Sequence, residues 1–289
     1  MPKTIIQGFN ELHTKLTPSS FESKAVQTHR ASIKSCLENN FGMTNFFKTG
    51  STGNGTSISG YSDTDYFASI PTDKLKKDSS VSLRELKEAL HKRFPTTGVY
   101  VDSPAVVCPF GTLKSESTEI VPADYLKQVN GSNIYDIPDG NSEWMNAGPT
   151  AHNKYVSDVN KKSGNKVKPL IRFLKAWKYY CNVPISSFYL EIKTVKYAEK
   201  ETSIEYSYDI RKIIAILYDT DLSAVIDPTG ISGYIHACSS DAKKKDAISK
   251  LKTAKTRSGN ARIEQNNENI KEAFEWWDKF FNGKFPSYY

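Results

Sequence analysis

Hydrophobic positions recur along the chain with two different periods, and the change between them divides the sequence into a mixed front half and a helical back half. The first forty residues have a helical pattern, in which Ser19 and Ser20 can cap the segment that follows. A capping box at Ser82–Glu85 predicts a further helix to residue 94. Short apolar runs predict strands at residues 44–48, 63–70, 99–102, 105–110 and 119–124, and the proline in the last run favours an edge position or a bulge.

Residues 128–150 are rich in Asn, Gly, Pro and Asp, and this composition predicts a long ordered loop. Beyond them the apolar spacing is helical, and Pro149 and Pro169 suit the first turns of two helices. Further helices are predicted at residues 187–200, 208–218, 241–255 and 263–281. The layout is therefore α+β, with a mixed sheet in residues 1–148 and a helical lobe in residues 149–289.

The composition is that of an ordinary globular protein, with 289 residues of which 38% are hydrophobic and 25% charged. A net charge of +7 fits a polyanionic partner, either nucleic acid or nucleoside triphosphate, and a solvated basic surface is the alternative. The apolar runs are shorter than the ~20 residues that cross a bilayer. The four cysteines have no CxxC spacing, which indicates neither a disulfide framework nor a zinc site. We therefore predict a cytoplasmic protein with no membrane partner.

Two aspartates at alternate positions of a predicted strand are the first candidates for chemistry. Asp63 and Asp65 point to the same side of a sheet, where their mutual repulsion favours a bound cation. Carboxylate oxygens suit Mg²⁺, which shares its coordination shell with substrate phosphates. Asp124 ends a separate strand, and if the strands are neighbours the three carboxylates can hold two ions for in-line displacement at phosphorus. A capped turn is the alternative for the Asp-x-Asp pattern taken alone.

The turn at Gly50 and Ser51 supplies a candidate phosphate-binding element. Glycine allows the backbone to approach a ligand closely, and the serine hydroxyl with successive N–H groups can bind a triphosphate. The segment from Ser51 to Ser62 contains no charged side chain, so it would not repel that anion.

These residues resemble a known signature. Gly50-Ser51, Gly55-Thr56 and residues 62–66 are similar to the motif of the DNA polymerase β-type nucleotidyltransferases, in the form found in the cyclic GMP-AMP synthase/oligoadenylate synthase-like branch. Residues 119–124 resemble the third-aspartate strand of that branch, and residues 173–178, 184–191 and 227–228 resemble its later motifs. The resemblance extends from about residue 40 to 235 and fits best the bacterial CD-NTases.

The resemblance implies a polymerase β-like nucleotidyltransferase core over residues 1–148 and a helical lobe, residues 149–289, that closes over a nucleotide cleft. It implies that Asp63, Asp65 and Asp124 bind two Mg²⁺ or Mn²⁺ ions, with Asp124 also the candidate base for the attacking hydroxyl. The nucleotide-binding residues would be Gly50, Ser51, Arg172, Lys175 and Ser187 on the phosphates and Phe188 stacked on a base. Core packing is the alternative for Phe188, and a solvated helix face is the alternative for Lys175.

The implied activity is the joining of nucleoside triphosphates into a cyclic di- or trinucleotide second messenger, with release of pyrophosphate. In the bacterial family this product signals in anti-phage (CBASS) defence, so the implied partner is a defence-operon effector that responds to the product. The zinc insertion of the animal enzyme is absent from the sequence, which argues against activation by double-stranded DNA. The alternatives are an RNA- or protein-directed nucleotidyltransferase and a non-catalytic nucleic-acid sensor with the same fold.

Overall fold

A computed structural model describes residues 1–18, 20–61, 63–111, 116–129, 131–231 and 233–289, so the predicted cap at Ser19 lies outside the described residues. The helices are α1 (Ile5–Leu16), α2 (Ser20–Phe41), α3 (Gly50–Asn54), α4 (Ser79–Arg93), α5 (Pro149–Lys162), α6 (Val167–Tyr180), α7 (Ser187–Ala198), α8 (Tyr206–Asp219), α9 (Asp241–Asn266) and α10 (Ile270–Phe280). The strands are β1 (Asn45–Lys48), β2 (Thr64–Ser69), β3 (Tyr100–Asp102), β4 (Ala105–Phe110), β5 (Glu116–Val129), β6 (Ser132–Pro138), β7 (Trp144–Ala147), β8 (Val225–Ile226) and β9 (Tyr234–Ile235).

The main sheet is mixed, as the sequence predicts. Its strand order is β1-β2-β5-β4-β3, and β6 joins β5 to β7. Strands β2 and β5 run parallel, whereas β1–β2, β3–β4, β4–β5, β5–β6 and β6–β7 are antiparallel. Successive residues of β2 face opposite sides, so Tyr66 packs into one buried cluster and Phe67 into another. Strand β5 is therefore central to the sheet, and its register fixes which of its side chains lie beside those of β2.

The prediction of a long loop at residues 128–150 is wrong. Strand β5 continues to Val129, and β6 and β7 extend the sheet from it. The polar composition hides a strand in which Ile134, Tyr135 and Ile137 are buried, with Tyr135 and Ile137 on one face and Ile134 on the other. Pro122 lies in a central strand, and not in an edge strand as one of the two predictions had it. The proline has no N–H to donate, but β4 pairs with β5 only as far as Ile120, so no hydrogen bond to β4 is lost.

Helix α1 groups with the C-terminal helices rather than with the sheet. One compact unit comprises Met1–Thr17, Val156–Asp227 and Gly233–Tyr289, and the other comprises Pro18–Tyr155 and Pro228–Ser232. This differs from a single division at 148/149, and the reason is an aromatic cluster. The Phe9 ring of α1 lies 5.1 Å from the rings of Phe173, Trp277 and Phe285, which ties α1 to the helical unit.

The last two helices divide at a different place from the predicted one. Helix α9 runs to Asn266, and α10 begins at Ile270 instead of residue 263. Glu268 between them has a φ of 62°, a left-handed conformation that ends the helical path. Among the described residues, no helix combines the length and the apolar character needed to cross a bilayer.

Candidate active site

The parallel pairing of β2 with β5 brings three acidic residues together in the sheet unit. Asp65 stands opposite Glu119, and Thr64 stands opposite Thr118. Asp63 directly precedes β2, and its carboxylate is hydrogen-bonded to Ser117 on β5. Residues paired across a ladder point to the same face, so Asp65 and Glu119 are neighbours and Asp63 extends the same cluster.

The electrostatics of this carboxylate cluster, Asp63, Asp65 and Glu119, favour a cation. Burial, followed by the charges of Asp65, Asp63 and Asp102, raises the pKa of Glu119 to about 8. Burial also raises the pKa of Asp63. The shift of Glu119 shows that the folded chain brings negative charges together at this point, and a cation would relieve the repulsion.

The Gly50 turn lies directly against the cluster. The Thr49 N–H donates to the Asp65 carbonyl at 2.9 Å, and α3 starts at the next residue. Gly50 has a φ of 54°, and a Cβ at this position would lie 2.2 Å from Oδ2 of Asp65. Only glycine fits, because a side chain would meet the carboxylate and would also strain the backbone. Gly50 and Asp65, which belong to the same sequence motif, are therefore also in contact in the structure.

Ser51 and Thr52 complete this turn. The Ser51 carbonyl accepts the Thr56 N–H at 2.8 Å, and the Thr52 hydroxyl donates to the Asp63 carbonyl at 3.2 Å. The loop is therefore fastened to the strand that carries the aspartates. Ser62, the first residue of the predicted signature stretch before Asp63, lies outside the described residues.

The structure does not bring Asp124 to the cluster. Asp124 lies five residues beyond Glu119 on β5, which at ~3.3 Å per residue is about 16 Å. An odd separation along a strand also points its side chain to the opposite face. Asp124 pairs with Asp136 on β6 and accepts the Thr72 hydroxyl at 2.8 Å. Both residues lie on β5, and the register places Glu119, rather than Asp124, opposite Asp65.

Carboxylate oxygens, such as those of Asp65 and Glu119, are the ligand type that suits a hard divalent cation. Among the described residues, no group of three or more His, Cys, Asp or Glu side chains is arranged to hold a metal ion by itself. An open carboxylate site is the arrangement that Mg²⁺ uses when substrate phosphates and water complete its shell. Asp65 and Glu119 are within hydrogen-bonding reach of each other, which places their oxygens close enough to share an ion.

Within the helical unit, the two predicted phosphate ligands on α6 already have protein partners. Lys175 is buried, and its Nζ donates to Oε2 of Glu191 at 2.5 Å. The Arg172 guanidinium contacts His13 Nε2 at 2.7 Å and the Thr17 hydroxyl at 3.4 Å. Burial and the Arg172 charge lower the pKa of His13, so this ring accepts the Arg172 N–H in its neutral form.

A second cationic group lies one turn further along α6. Lys178 donates to the Ser187 hydroxyl at 2.7 Å, and the Tyr179 hydroxyl lies 3.3 Å from the same oxygen. Burial and the Lys175 charge lower the pKa of Lys178 to about 8. Phe188 is 37% exposed, so part of this residue is accessible to a ligand. We call Lys178, Tyr179 and Ser187 the α6–α7 cluster.

Sequence reasoning missed Glu119 and Lys178. Glu119 is the first residue of the segment that resembles the third-aspartate strand, and no local signal favours it over the last residue, Asp124. Lys178 lies three residues after Lys175, hence on much the same helix face. No local signal distinguishes a lysine paired with a buried glutamate from one beside a serine.

Comparisons with known proteins define the class of the fold. The cyclic AMP-GMP synthase DncV of Vibrio cholerae, in complex with the linear intermediate 5′ pppA(3′,5′)pG, superposes with a TM-score of 0.81 at 12% identity, over 100% of this chain and 98% of that one. CdnC of Escherichia coli MS115-1 with ATP gives a TM-score of 0.76 at 15% identity, over 97% and 98% of the two chains. The fold is therefore the polymerase β-like nucleotidyltransferase fold of the CD-NTases, as the sequence predicts.

The family follows from the sequence match. The profile of SMODS, the Second Messenger Oligonucleotide or Dinucleotide Synthetase domain, matches residues 4–160. The chain belongs to this family. A Bacillus cereus (strain VD146) protein named a probable cyclic nucleotide synthase is 27% identical over 225 residues, and the match covers 75% of this chain and 62% of that protein's length. The chain thus spans less than two thirds of the relative that it matches.

Proposed function

We propose that this chain is a metal-dependent nucleotidyltransferase that condenses nucleoside triphosphates into a cyclic di- or trinucleotide and releases pyrophosphate. The observation that carries the proposal is the cluster of Asp63, Asp65 and Glu119 against the Gly50 turn. Family membership and the fold support it. The synthase of Vibrio cholerae is named for a cyclic AMP-GMP product, and we extend that class of reaction to this chain.

Asp63, Asp65 and Glu119 are the residues that would hold Mg²⁺ or Mn²⁺, and we propose two ions. When bound, the ions supply Lewis-acid stabilisation of the attacking and leaving oxygens. The Glu119 carboxylate, opposite Asp65, is placed to accept the proton of an attacking ribose hydroxyl, the role first assigned to Asp124. The Gly50-Ser51 turn would hold the triphosphate with its backbone N–H groups and the serine hydroxyl.

In the helical unit we propose that the α6–α7 cluster binds nucleotide phosphate. The Lys178 ammonium and the Ser187 hydroxyl are hydrogen-bonded to each other, so they present a charge and a hydroxyl donor side by side. Lys175 would hold Glu191 and fix α6 against α7. Arg172 would orient α1 through His13, and Phe188 would stack on a base.

The proposed setting is bacterial anti-phage signalling in the cytoplasm, in which an effector of the same defence operon responds to the product. CdnC of Escherichia coli MS115-1 has been solved with a HORMA protein, and a protein partner of this kind is a candidate regulator of this chain too. Activation by double-stranded DNA is not part of the proposal.

The decisive experiment is incubation of the purified protein with the four ribonucleoside triphosphates and Mg²⁺ or Mn²⁺, followed by mass spectrometry. The proposal expects pyrophosphate and a phosphatase-resistant cyclic product, neither of which the Asp65→Asn variant makes. Labelled RNA primer or labelled protein in place of a cyclic product would identify an RNA- or protein-directed transferase. Tight RNA binding with no turnover under any ion would identify a sensor, and the proposal would be wrong.

A further inference from the structure

The helical unit contains a cavity of about 220 Å³ where α6 and α10 end beside α9. The residues that line it are Trp177, Tyr180, Cys181, Asn182, Lys250, Thr253, Ala254, Arg257, Phe280 and Asn282. All of them belong to the helical unit, whereas the carboxylate cluster belongs to the sheet unit. The cavity is thus a separate feature, and an inference about it does not rest on the proposed function.

One wall of the cavity is cationic. Lys250, Thr253 and Arg257 stand three and four residues apart on α9, so they share one helix face. The lining residues include two cations and no carboxylate. Asp246 pairs with Lys250 at 2.8 Å and offsets part of its charge, so Arg257 is the dominant charge facing the space.

Both cations are held in place by backbone carbonyls. Lys250 Nζ donates to the Asn182 carbonyl at 2.8 Å, and Arg257 NH1 donates to the Lys279 carbonyl at 2.6 Å. The other guanidinium donors of Arg257, on Nε and NH2, form no hydrogen bond with the residues that the structure describes. A guanidinium fixed through one nitrogen still offers a planar pair of donors, the geometry that binds phosphate in two places at once.

The cavity is small, and one part of its lining is apolar. Trp177, Ala254 and Phe280 form its buried walls. A volume of about 220 Å³ is below the ~300 Å³ at which sites for drug-sized ligands begin, so the cavity matches a ligand smaller than a nucleoside triphosphate or a dinucleotide. It exceeds the ~30 Å³ share of one water several-fold, so a compact organic ligand fits.

We propose that this cavity binds a small phosphomonoester. Arg257 and Lys250 hold the phosphate, and the organic part lies against the apolar wall. Ligand binding at this point joins the ends of α6 and α10 to α9, three helices that also meet here through side-chain bonds to backbone carbonyls and through the Trp177 and Phe280 rings.

Cys181 gives a readout that belongs to the cavity. Its thiol lines the space and is half-buried, and burial raises its pKa, so alkylation by iodoacetamide is followed at alkaline pH. Peptide mass spectrometry follows Cys181 against Cys238, the other half-buried cysteine, which does not line the cavity. The probes are phenyl phosphate and inorganic phosphate, with chloride at equal ionic strength as the control.

The proposal expects saturable protection of Cys181 by phenyl phosphate, weaker protection by inorganic phosphate and none by chloride. Arg257→Gln, which keeps an amide donor for the Lys279 carbonyl, should weaken protection at least about tenfold. Lys252→Gln, on the exposed side of the same helix, should leave it unchanged. If Arg257→Gln does not fold, Lys250→Gln provides the same comparison. Alkylation of Cys181 that is insensitive to both phosphates, or protection that survives the loss of either cation, would overturn the proposal.

Discussion

Asp65 and Glu119 stand opposite each other on the two parallel strands of the sheet, in the ladder register that also pairs Phe67 with Val121. Because the register is fixed by buried residues on both sides, the two carboxylates cannot separate without unpairing the central strand. The fold therefore forces negative charges together next to Gly50. That enforced proximity is the physical basis for expecting a cation and for the predictions that follow.

Loss of a carboxylate from the cluster should abolish turnover, whereas loss of Asp124 should not. Ions held by carboxylates supply several kcal/mol of transition-state stabilisation. Since each 1.36 kcal/mol is a factor of ten, Asp65→Asn and Glu119→Gln should each lower kcat at least ~100-fold. Asp124 lies about 16 Å from Glu119 along β5, so the kcat of Asp124→Asn should stay within a few-fold of that of the parent enzyme. Pyrophosphate release measures all three.

Circular dichroism and thermal unfolding serve as the fold control for that series, since each substitution is nearly isosteric. A Glu119→Gln enzyme with parental turnover would remove Glu119 from the site. An Asp124→Asn enzyme as inactive as Asp65→Asn would restore the original assignment from sequence.

The raised pKa of Glu119 predicts how stability depends on pH when metal is absent. Its pKa is 4.5 in a model carboxyl group and about 8 in the folded chain, so the folded state holds the proton more tightly. The resulting stabilisation is fully present below pH 4.5 and is lost as the pH rises through about 8. In EDTA the free energy of unfolding should fall across this window, by at most about 1.4 kcal/mol per pH unit. Urea denaturation at a series of pH values measures it.

Other groups titrate in the same window, so the informative quantity is the difference between the parent chain and Glu119→Gln. The variant should lack the slope, and added Mg²⁺ should flatten it in the parent by stabilising the carboxylates. Identical slopes for the two proteins in EDTA would show that Glu119 does not titrate in this range.

Sequence patterns predict the strands of this fold best where both faces of a strand are buried, because such strands consist mostly of apolar residues. The runs that became β2 and β4 are rich in apolar residues, so their existence and approximate limits were predictable. Strand β6 was missed because the polar residues Ser132, Asn133 and Asp136 interrupt its four buried residues. The choice between Glu119 and Asp124 depends on the register of a parallel pair, which tertiary packing sets and local sequence does not. The partner of Lys175 is likewise a residue sixteen positions away on another helix.

Gly50→Ala should impair both stability and activity. Its positive φ should cost about 1–2 kcal/mol, and its Cβ would meet Oδ2 of Asp65. Gly60→Ala is the matched control, because Gly60 has a φ of 72° but no atom within 4 Å of an added Cβ. The excess loss of turnover in Gly50→Ala over Gly60→Ala measures the contact with Asp65. Equal effects would show that only backbone strain matters.

Glu191→Gln should destabilise the helical unit strongly. It leaves the Lys175 ammonium buried without its carboxylate, and breaking a buried pair in this way costs about 3–5 kcal/mol. Glu38→Gln removes an exposed partner of Lys34 and should cost no more than about 1 kcal/mol. Chemical denaturation compares the two variants. A small effect of Glu191→Gln would mean that Lys175 has another charge partner, such as a bound phosphate.

Lys178→Met tests whether the α6–α7 cluster binds nucleotide phosphate. A charge that contacts the substrate equally in its ground and transition states raises KM when removed and leaves kcat nearly unchanged. A hydrogen bond to a charged group is worth roughly 1.5–3 kcal/mol, so KM for nucleoside triphosphate should rise about tenfold or more. Lys212→Met, which removes an α8 lysine that rests 5.4 Å from the Tyr208 ring, should leave KM unchanged.

The pH dependence of KM sharpens this test. The Lys178 pKa is about 8, so the ammonium that binds phosphate is lost as the pH rises above 8 and KM should climb there. Lys178→Arg keeps its charge at every accessible pH and should remove that rise while retaining most of the affinity. A parent enzyme whose KM is flat from pH 7 to 9, together with a Lys178→Met variant of normal KM, would show that phosphate is bound elsewhere. Lys178 would then serve only to hold Ser187 at the start of α7.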